Sequence, residues 1–268
     1  MCEHCTQNVL EMQALLTFVV GARKRSIIKG VMTLEGTPRA RARAAALEEI
    51  KRAARAQMAE RGPAALSVRH VAREIGMCSS GVYRYYASRD ELLTALILDA
   101  YNALGAAVET AESAIDRADY FERWWAAAST IRSWARAHPQ EYGLVFGSPV
   151  PGYAAPQETV FPAARVPFVL AGILRDAYVA HELADAATQD VRESGLDPSF
   201  MSSGMPLAGL PDELVAAGVR AWSELFGLIS FELFGHLTGS VLDGDRFFRI
   251  ACEGMARELG MLGVPADA

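Results

Sequence analysis

Cysteine is scarce in this 268-residue chain: there are four, and only Cys2 and Cys5 lie close together. So thin a set builds no disulfide framework and fits a reducing compartment. Apolar runs are short, none approaching the ~20 residues that cross a bilayer. The segment Leu15–Val20 is too brief for the core of a secretion signal, and an acidic rather than a basic stretch precedes it. These absences predict a soluble, cytoplasmic protein with no membrane partner. Signatures of catalysis are missing too. There is no GxSxG elbow, no HExxH, no paired-glycine dinucleotide fingerprint and no phosphate loop. Neither catalytic residues nor a cofactor is expected. Met1-Cys2-Glu3-His4-Cys5 has CxxC spacing with a histidine, but tetrahedral zinc needs a second ligand pair and none follows nearby, so no metal site is expected.

Positive charge is short overall, with a net charge of −6, which at face value argues against nucleic acid. Its distribution reverses that reading. Residues 39–90 hold eleven Lys/Arg against five Asp/Glu, whereas residues 91–268 hold eleven Arg and no Lys against twenty-four acids. A basic block on an acidic body is what one phosphate-binding module joined to a body of other purpose would show.

Within the block, helical spacing starts at Arg43: Leu47, Ile50, Ala54 and Met58 form an apolar stripe opposite Glu48, Glu49, Lys51, Arg52 and Arg55. Gly62-Pro63 ends that helix. Ser67 reads as the N-cap of a short helix with Val68, Val71, Ala72 and Ile75 on one side. Gly76 permits a sharp turn, and a second short helix is predicted over Ser79–Tyr86 with Val82 and Tyr86 inward. Two short helices across a glycine turn are a helix-turn-helix. Ser79, Ser80 and Gly81 let the second helix approach base edges or a phosphate, Tyr83 and Tyr85 can donate hydroxyls to phosphate, and Arg84 adds charge. Ser88-x-x-Glu91 is a capping box for the next helix, with Arg89 in its first turn, where it could meet phosphate. The expected DNA-facing set is Ser67, Arg69, Ser79, Ser80, Gly81, Tyr83, Arg84, Tyr85 and Arg89.

Arg43–Tyr101 resembles the DNA-binding region of the TetR family of bacterial regulators. That family's segments "IA…AGVS", "GTLYRHF" and "SKEELL" correspond here to Val71 through Cys78, Gly81 through Tyr86 and Ser88 through Leu93. Cys78 stands where serine usually caps the recognition helix, and a thiol is a weak acceptor, so a less firm helix start is expected. Tyr85 replaces a common histidine, Tyr86 a phenylalanine and Arg89 a lysine. Trp134 through Tyr153, with its His138-Pro139 and Pro149-Val150-Pro151-Gly152, resembles the regulatory domain of a subgroup named for a Trp-His-Gly pattern. Trp222 through Gly227 fits that pattern except that Phe226 occupies the histidine position, so no histidine contact is carried over.

The acidic body patterns as helices. Over Asp119–Ala137, Phe121, Trp124, Trp125, Ala128 and Ile131 share one uncharged face, and the helix is expected to end at His138-Pro139, His138 serving as a cap. Six of the twelve prolines fall between 139 and 167, which predicts an irregular interruption. Trp124, Trp125, Tyr142, Phe146, Phe168, Trp222 and Phe226 serve equally as core or as the lining of an apolar pocket. Residues 194–211 read as a mobile loop, and helices are expected through Leu214–Leu233 and Asp245–Leu259. In relatives of this resemblance the last two helices pair with their copies; Gly218, Gly227 and Gly235 would permit close approach here. Intramolecular packing alone is the competing reading.

The expectation is an all-α chain in three parts: a leader at 1–38, disordered or foreign to the native protein; a DNA-binding domain at 39–103; and an effector-binding and dimerisation domain at 104–264. Its implied activity is that of a homodimer, joined through residues 212–260, which binds a palindromic operator, usually represses, and is released by a small apolar or aromatic effector. The competing readings are an effector-independent DNA-binding factor and a helical enzyme with a DNA-binding arm.

Overall fold

The computed structural model describes residues 37–180, 183, 206–207 and 209–262. The leader, save its last two residues, and most of the loop expected at 194–211 lie outside them. The regular structure of the described residues is helical, without strands, as the sequence patterns require. The helices are α1 (Pro38–Arg61), α2 (Val68–Glu74), α3 (Ser79–Tyr83), α4 (Arg89–Ser113), α5 (Tyr120–Ala137), α6 (Pro139–Phe146), α7 (Val160–Val179), α8 (Asp212–Leu233) and α9 (Gly244–Glu258), with 3-10 turns at Pro63–Ala65 and Gln157–Thr159. They form two compact units, one holding the described residues up to Tyr101 together with 138–160, the other holding 102–137 and the chain from Phe161 onward.

In the first unit the apolar stripe of α1 (Ile50, Ala54, Met58) packs with Val71 and Ala72 of α2, Val82 of α3 and Leu92, Leu93 and Leu96 of α4. The stops follow the glycines. Gly62 ends α1 at φ 77°. Gly76, at φ 67°, closes α2, with the amide of Met77 donating to the Ala72 carbonyl at 2.9 Å and its own to that of Arg73 at 3.2 Å. This paired closure uses a left-handed residue that only glycine adopts without strain.

Two expectations about the proline-rich stretch are corrected. It is not irregular throughout, because Pro139 sits at the first position of α6, where a missing amide costs nothing, and α7 accommodates Pro167 in its interior. His138 is the N-cap residue of α6, though its side chain makes no capping bond. Leu144 and Val150 are buried in the core of the first unit, although the sequence placed 138–160 with the body. Burying two such side chains contributes about 1.5–3 kcal/mol each. Polar contacts fix the register of that segment: Thr94 to the Tyr153 hydroxyl at 2.8 Å, Tyr101 donating to the Val145 carbonyl at 3.3 Å, and Arg55 beside Glu141 at 3.6 Å.

In the second unit α5 packs on α8 and α9. Trp124, Ala128 and Ile131 are buried as expected, but so are Arg123 and Arg132 of the same helix. Arg123 is 1% exposed and donates to Glu112 at 2.7 Å, to Asp176 at 2.8 Å and to the Arg117 carbonyl at 3.0 Å. Arg132 grips both oxygens of Glu232 at 2.6 and 2.7 Å, reaches Asp245 at 2.8 Å and lies over the Phe248 ring. Of the three glycines expected to permit close helix approach between copies, two serve otherwise. A Cβ on Gly218 would stand 3.1 Å from Leu174, so it faces its own unit, and Gly235 at φ 79° terminates α8. A Cβ on Gly227 would meet nothing within 4 Å.

No uninterrupted apolar run approaches ~20 residues, as read, but two helices pass a length-and-composition test that the buried core helices of other proteins also pass. Helices α4 and α8 are long and apolar enough by length and composition, though 50% and 39% of their most apolar windows are buried in the protein. Their apolar residues are interrupted by polar ones, so counting uninterrupted runs missed them.

Trp124 donates its indole N–H to the carbonyl of Cys252 at 3.3 Å, and burial pushes the Cys252 thiol from 9.0 up to about 12. Two outcomes follow. Iodoacetamide at pH 8 should modify the exposed Cys78 and spare Cys252 until denaturant is added, as peptide mass mapping would read. Because the folded state holds this proton more tightly, its contribution to stability is whole below pH 9 and is lost as pH rises toward 12. Alkylation of both thiols at equal rates would refute the burial argument.

Candidate nucleic-acid interface

The helix-turn-helix is built from α2, the Gly76 turn and α3. The second helix is shorter than expected, ending at Tyr83 rather than Tyr86, because Tyr85 and Tyr86 both turn their amides back to the Val82 carbonyl, at 2.9 and 3.1 Å. Its inward side is as expected, with Val82 fully buried and Tyr86 nearly so. Cys78 holds the N-cap position but makes no capping bond. Its thiol instead lies 3.2 Å from the Ser80 hydroxyl, the main cause of a pKa below its ordinary value.

Ser67 likewise holds the cap position of α2 without its hydroxyl capping. The junction is set by Gln57, a buried polar residue of α1 that accepts from the Ser67 amide at 3.1 Å and donates to the Ala65 carbonyl at 3.0 Å. Sequence reading missed Gln57; its signal was a polar residue at an apolar position three beyond Ala54. At the start of α4, Ser88 accepts from the Glu91 amide at 3.0 Å while the Glu91 carboxylate accepts from the Ala87 amide. The capping box thus closes one residue earlier than its usual form.

Arg69, Ser80, Tyr83 and Arg84 are exposed, while Ser79, Gly81 and Tyr85 are half-buried. Tyr85 carries the guanidinium of Arg43 over its ring at 5.1 Å. Arg89 is differently employed from the expected phosphate contact. It donates to the carbonyls of Leu66, Pro63 and Ala64 at 3.1, 3.4 and 3.2 Å and pairs with Asp90 at 3.1 Å. Its guanidinium therefore clamps the 63–66 turn to α4. Arg89→Ala is expected to lower stability by about 1 kcal/mol, since the site is partly exposed, alongside any loss of DNA affinity. Thermal unfolding reads the first effect; an unchanged midpoint would show the clamp to be idle.

The seven aromatic residues proposed for a ligand are divided between the units, Tyr142 and Phe146 in the first and the other five in the second. Tyr142 is fully buried and packs at a tilt on Phe146 at 5.1 Å, and Phe146 also meets Tyr101 edge-on at 6.0 Å. In the second unit Trp124 is buried, Trp125 is half-buried beneath Arg249 at 4.4 Å, Phe168 neighbours Phe161, and the exposed Trp222 contacts Phe226 at 6.0 Å. The face read as uncharged is thus covered by a cation, which also lies 5.1 Å over Phe121. A cavity of about 180 Å³ lies among Leu228, Glu232, Leu237, Val241, Phe247 and Phe248, and none of the seven lines it.

Residues 50–96 match the family described as bacterial regulatory proteins, tetR family, and residues 124–255 match one described as Tetracyclin repressor-like, C-terminal domain. The HTH-type transcriptional regulator Rv1816 of Mycobacterium tuberculosis is 38% identical over 196 residues, covering 70% of this chain and 80% of that relative. The chain belongs to the TetR family of bacterial transcriptional regulators. HTH-type transcriptional regulator Mb1846 of Mycobacterium bovis matches this TetR-family chain to the same extent, 38% over 196 residues, covering 70% of this chain and 80% of its own. The crystal structure of SCO4313 superposes with a TM-score of 0.66 at 32% identity, covering 82% of this chain and 98% of its own. The TetR-family regulator PfmR from Thermus thermophilus shares the fold, with a TM-score of 0.53 at 18% identity over 78% of this chain and 97% of its own. Residues 50–96 therefore carry a TetR-type DNA-binding module, and the body is a TetR-type C-terminal domain.

Proposed function

We propose that this TetR-family protein is a cytoplasmic homodimer that reads a palindromic operator with α3 and represses the genes beside it. No catalytic role is assigned to any residue. The observation that carries the reading is the two-sidedness of α3. Val82 is locked in the core while Ser80 and Tyr83 are exposed at the end of a small-residue surface. Such a helix can bring its backbone close to base edges, with Arg69, Arg84 and Tyr83 left to contact phosphate. Binding is expected to weaken steeply with salt, and substitutions at Ser79 or Ser80 to change base preference. Footprinting of the DNA upstream of the gene, followed by titration of operator variants over a range of salt, tests this. A flat salt response would contradict it.

Dimerisation is supported by apolar stripes whose large side chains are exposed: Phe231 and Phe234, continued from the half-buried Gly227 at four- and three-residue spacing along and just beyond α8, and Phe247 and Ile250, continued to the half-buried Gly254 at three and four along α9. Exposed aromatics rimmed by polar residues mark interaction surfaces, and twofold operators call for a twofold protein.

Release by a small neutral or aromatic effector in the body is part of the same proposal, since the candidate side chains are aromatic and the cation over Trp125, Arg249, is already paired with Glu253 at 2.9 Å. Linkage then requires operator DNA to weaken effector binding by the factor with which effector weakens operator binding. The competing reading is a body that binds no small molecule; the cavity among the described residues of α8 and α9, at about 180 Å³, is one site smaller than the roughly 300–1,000 Å³ of common ligand sites. Tryptophan fluorescence during titration with hydrophobic compounds, with and without operator, separates the two.

A further inference from the structure

We propose that the first two turns of α1 are a second DNA-contacting element, in which Arg39 and Arg43 bind phosphate oxygens beside the half-site read by α3. This rests on the operator-binding reading above and adds residues outside the helix-turn-helix to it.

At 3.6 residues per turn, positions 39, 43, 50, 54 and 57 share one face of α1. Over the second half of the helix that face is core: Ile50 and Ala54 are fully buried and Gln57 nearly so. Over the first two turns no described residue buries it, and every residue from Thr37 to Ala45 is exposed. The helix therefore overhangs its own core, and on the overhang the inward face carries arginine where the rest of the stripe is buried. Arg43 lies with its guanidinium 5.1 Å from the centre of the Tyr85 ring, which places that charge beside the residues following α3. Among the described residues no carboxylate pairs with Arg39 or Arg43. The nearest acids along the helix are otherwise engaged, Glu48 with Lys51 at 2.6 Å and Glu49 with Arg52 at 3.9 Å. Cations in the first turns of a helix oppose its dipole, so helix stability does not account for them. A polyanion lying against α3 would.

The test uses the full chain and a fluorescein-labelled duplex of random sequence, titrated by anisotropy at a series of KCl concentrations. For Arg39→Ala with Arg43→Ala, the slope of log affinity against log salt should become shallower by about 1.8, the value of two phosphate contacts. Arg39→Lys with Arg43→Lys should restore the slope. Arg52→Ala with Arg136→Ala, which removes the same charge elsewhere, should leave it unchanged. An unchanged slope in the first pair overturns the proposal, as does an equal loss in the control pair, which would make net charge the cause. A changed preference for bases flanking the operator would assign the arginines to base edges and overturn the phosphate contact. If the wild type binds no duplex, the operator reading itself fails, and the proposal with it. Circular dichroism confirms that these exposed substitutions leave the helices intact.

Discussion

Arg123→Ala should destabilise the protein by about 3–5 kcal/mol, the range for breaking a buried ion pair by removing one partner. The guanidinium is 1% exposed, and all of its donor nitrogens are occupied, by Glu112 of α4, Asp176 of α7 and the carbonyl of Arg117. Removing it leaves the 8%-exposed Glu112 carboxylate with Arg117 as a partner, and Arg117 is itself 64% exposed. It also empties the volume of a large side chain. Arg117→Ala, which removes a cation touching the same two carboxylates from the solvent side, should cost under about 1 kcal/mol. The contrast is the test, because both variants lose one positive charge and both lose pairs to Glu112 and Asp176. Urea unfolding of the two variants beside the wild type reads it. Equal and small losses would mean that Arg123 is hydrated in solution and the cluster contributes little.

Arg123 also shows where the sequence stopped being legible. Helical periodicity sorts residues by polarity, so it marks Trp124, Ala128 and Ile131 as an inward face and gives no sign that Arg123 and Arg132 of the same helix are buried too. Their partners, Glu112, Asp176, Glu232 and Asp245, lie on other helices, and nothing local announces a pairing across 53 or 100 residues. The packing of 138–160 with the first unit was invisible for the same reason, since Leu144 and Val150 carry no mark of which core they join. Features that depend on neighbours in the chain were readable. The stops at Gly62 and Gly76, the inward Val82 and Tyr86 and the Ser88–Glu91 box follow from backbone rules acting over a few residues. Cap chemistry was only half readable: Ser67 and Cys78 stand at cap positions, yet whether a side chain bonds there depends on competitors such as Gln57 and Ser80.

Phe231→Glu together with Ile250→Glu is expected to convert a dimer into a folded monomer and to reduce operator affinity by about 10²–10⁴-fold. Both positions are more than half exposed, at 55% and 53%, so within one chain the new carboxylates meet water, and with the Phe231–His236 ring contact at 5.1 Å given up the stability should fall by about 1 kcal/mol. Across a twofold interface each would face apolar surface of a second copy, and a buried unpaired carboxylate is not tolerated there. The affinity loss comes from geometry rather than from any contact to DNA. In a dimer, binding of one recognition helix holds the second near its half-site at an effective concentration in the millimolar range. A monomer must bind each half-site independently. Gly227→Trp is the complementary variant. A Cβ at Gly227 would meet nothing within 4 Å among the described residues, so a side chain can leave the helix there without strain and should chiefly obstruct a copy packed on α8. Substitution at Gly235 would not report on the interface, because its φ of 79° makes any side chain there strained. Sedimentation equilibrium at micromolar concentration reads the assembly, and operator titration reads the affinity. A wild-type monomer, or a double variant that still sediments as a dimer, would remove α8 and α9 as the interface and leave their exposed aromatics to another partner.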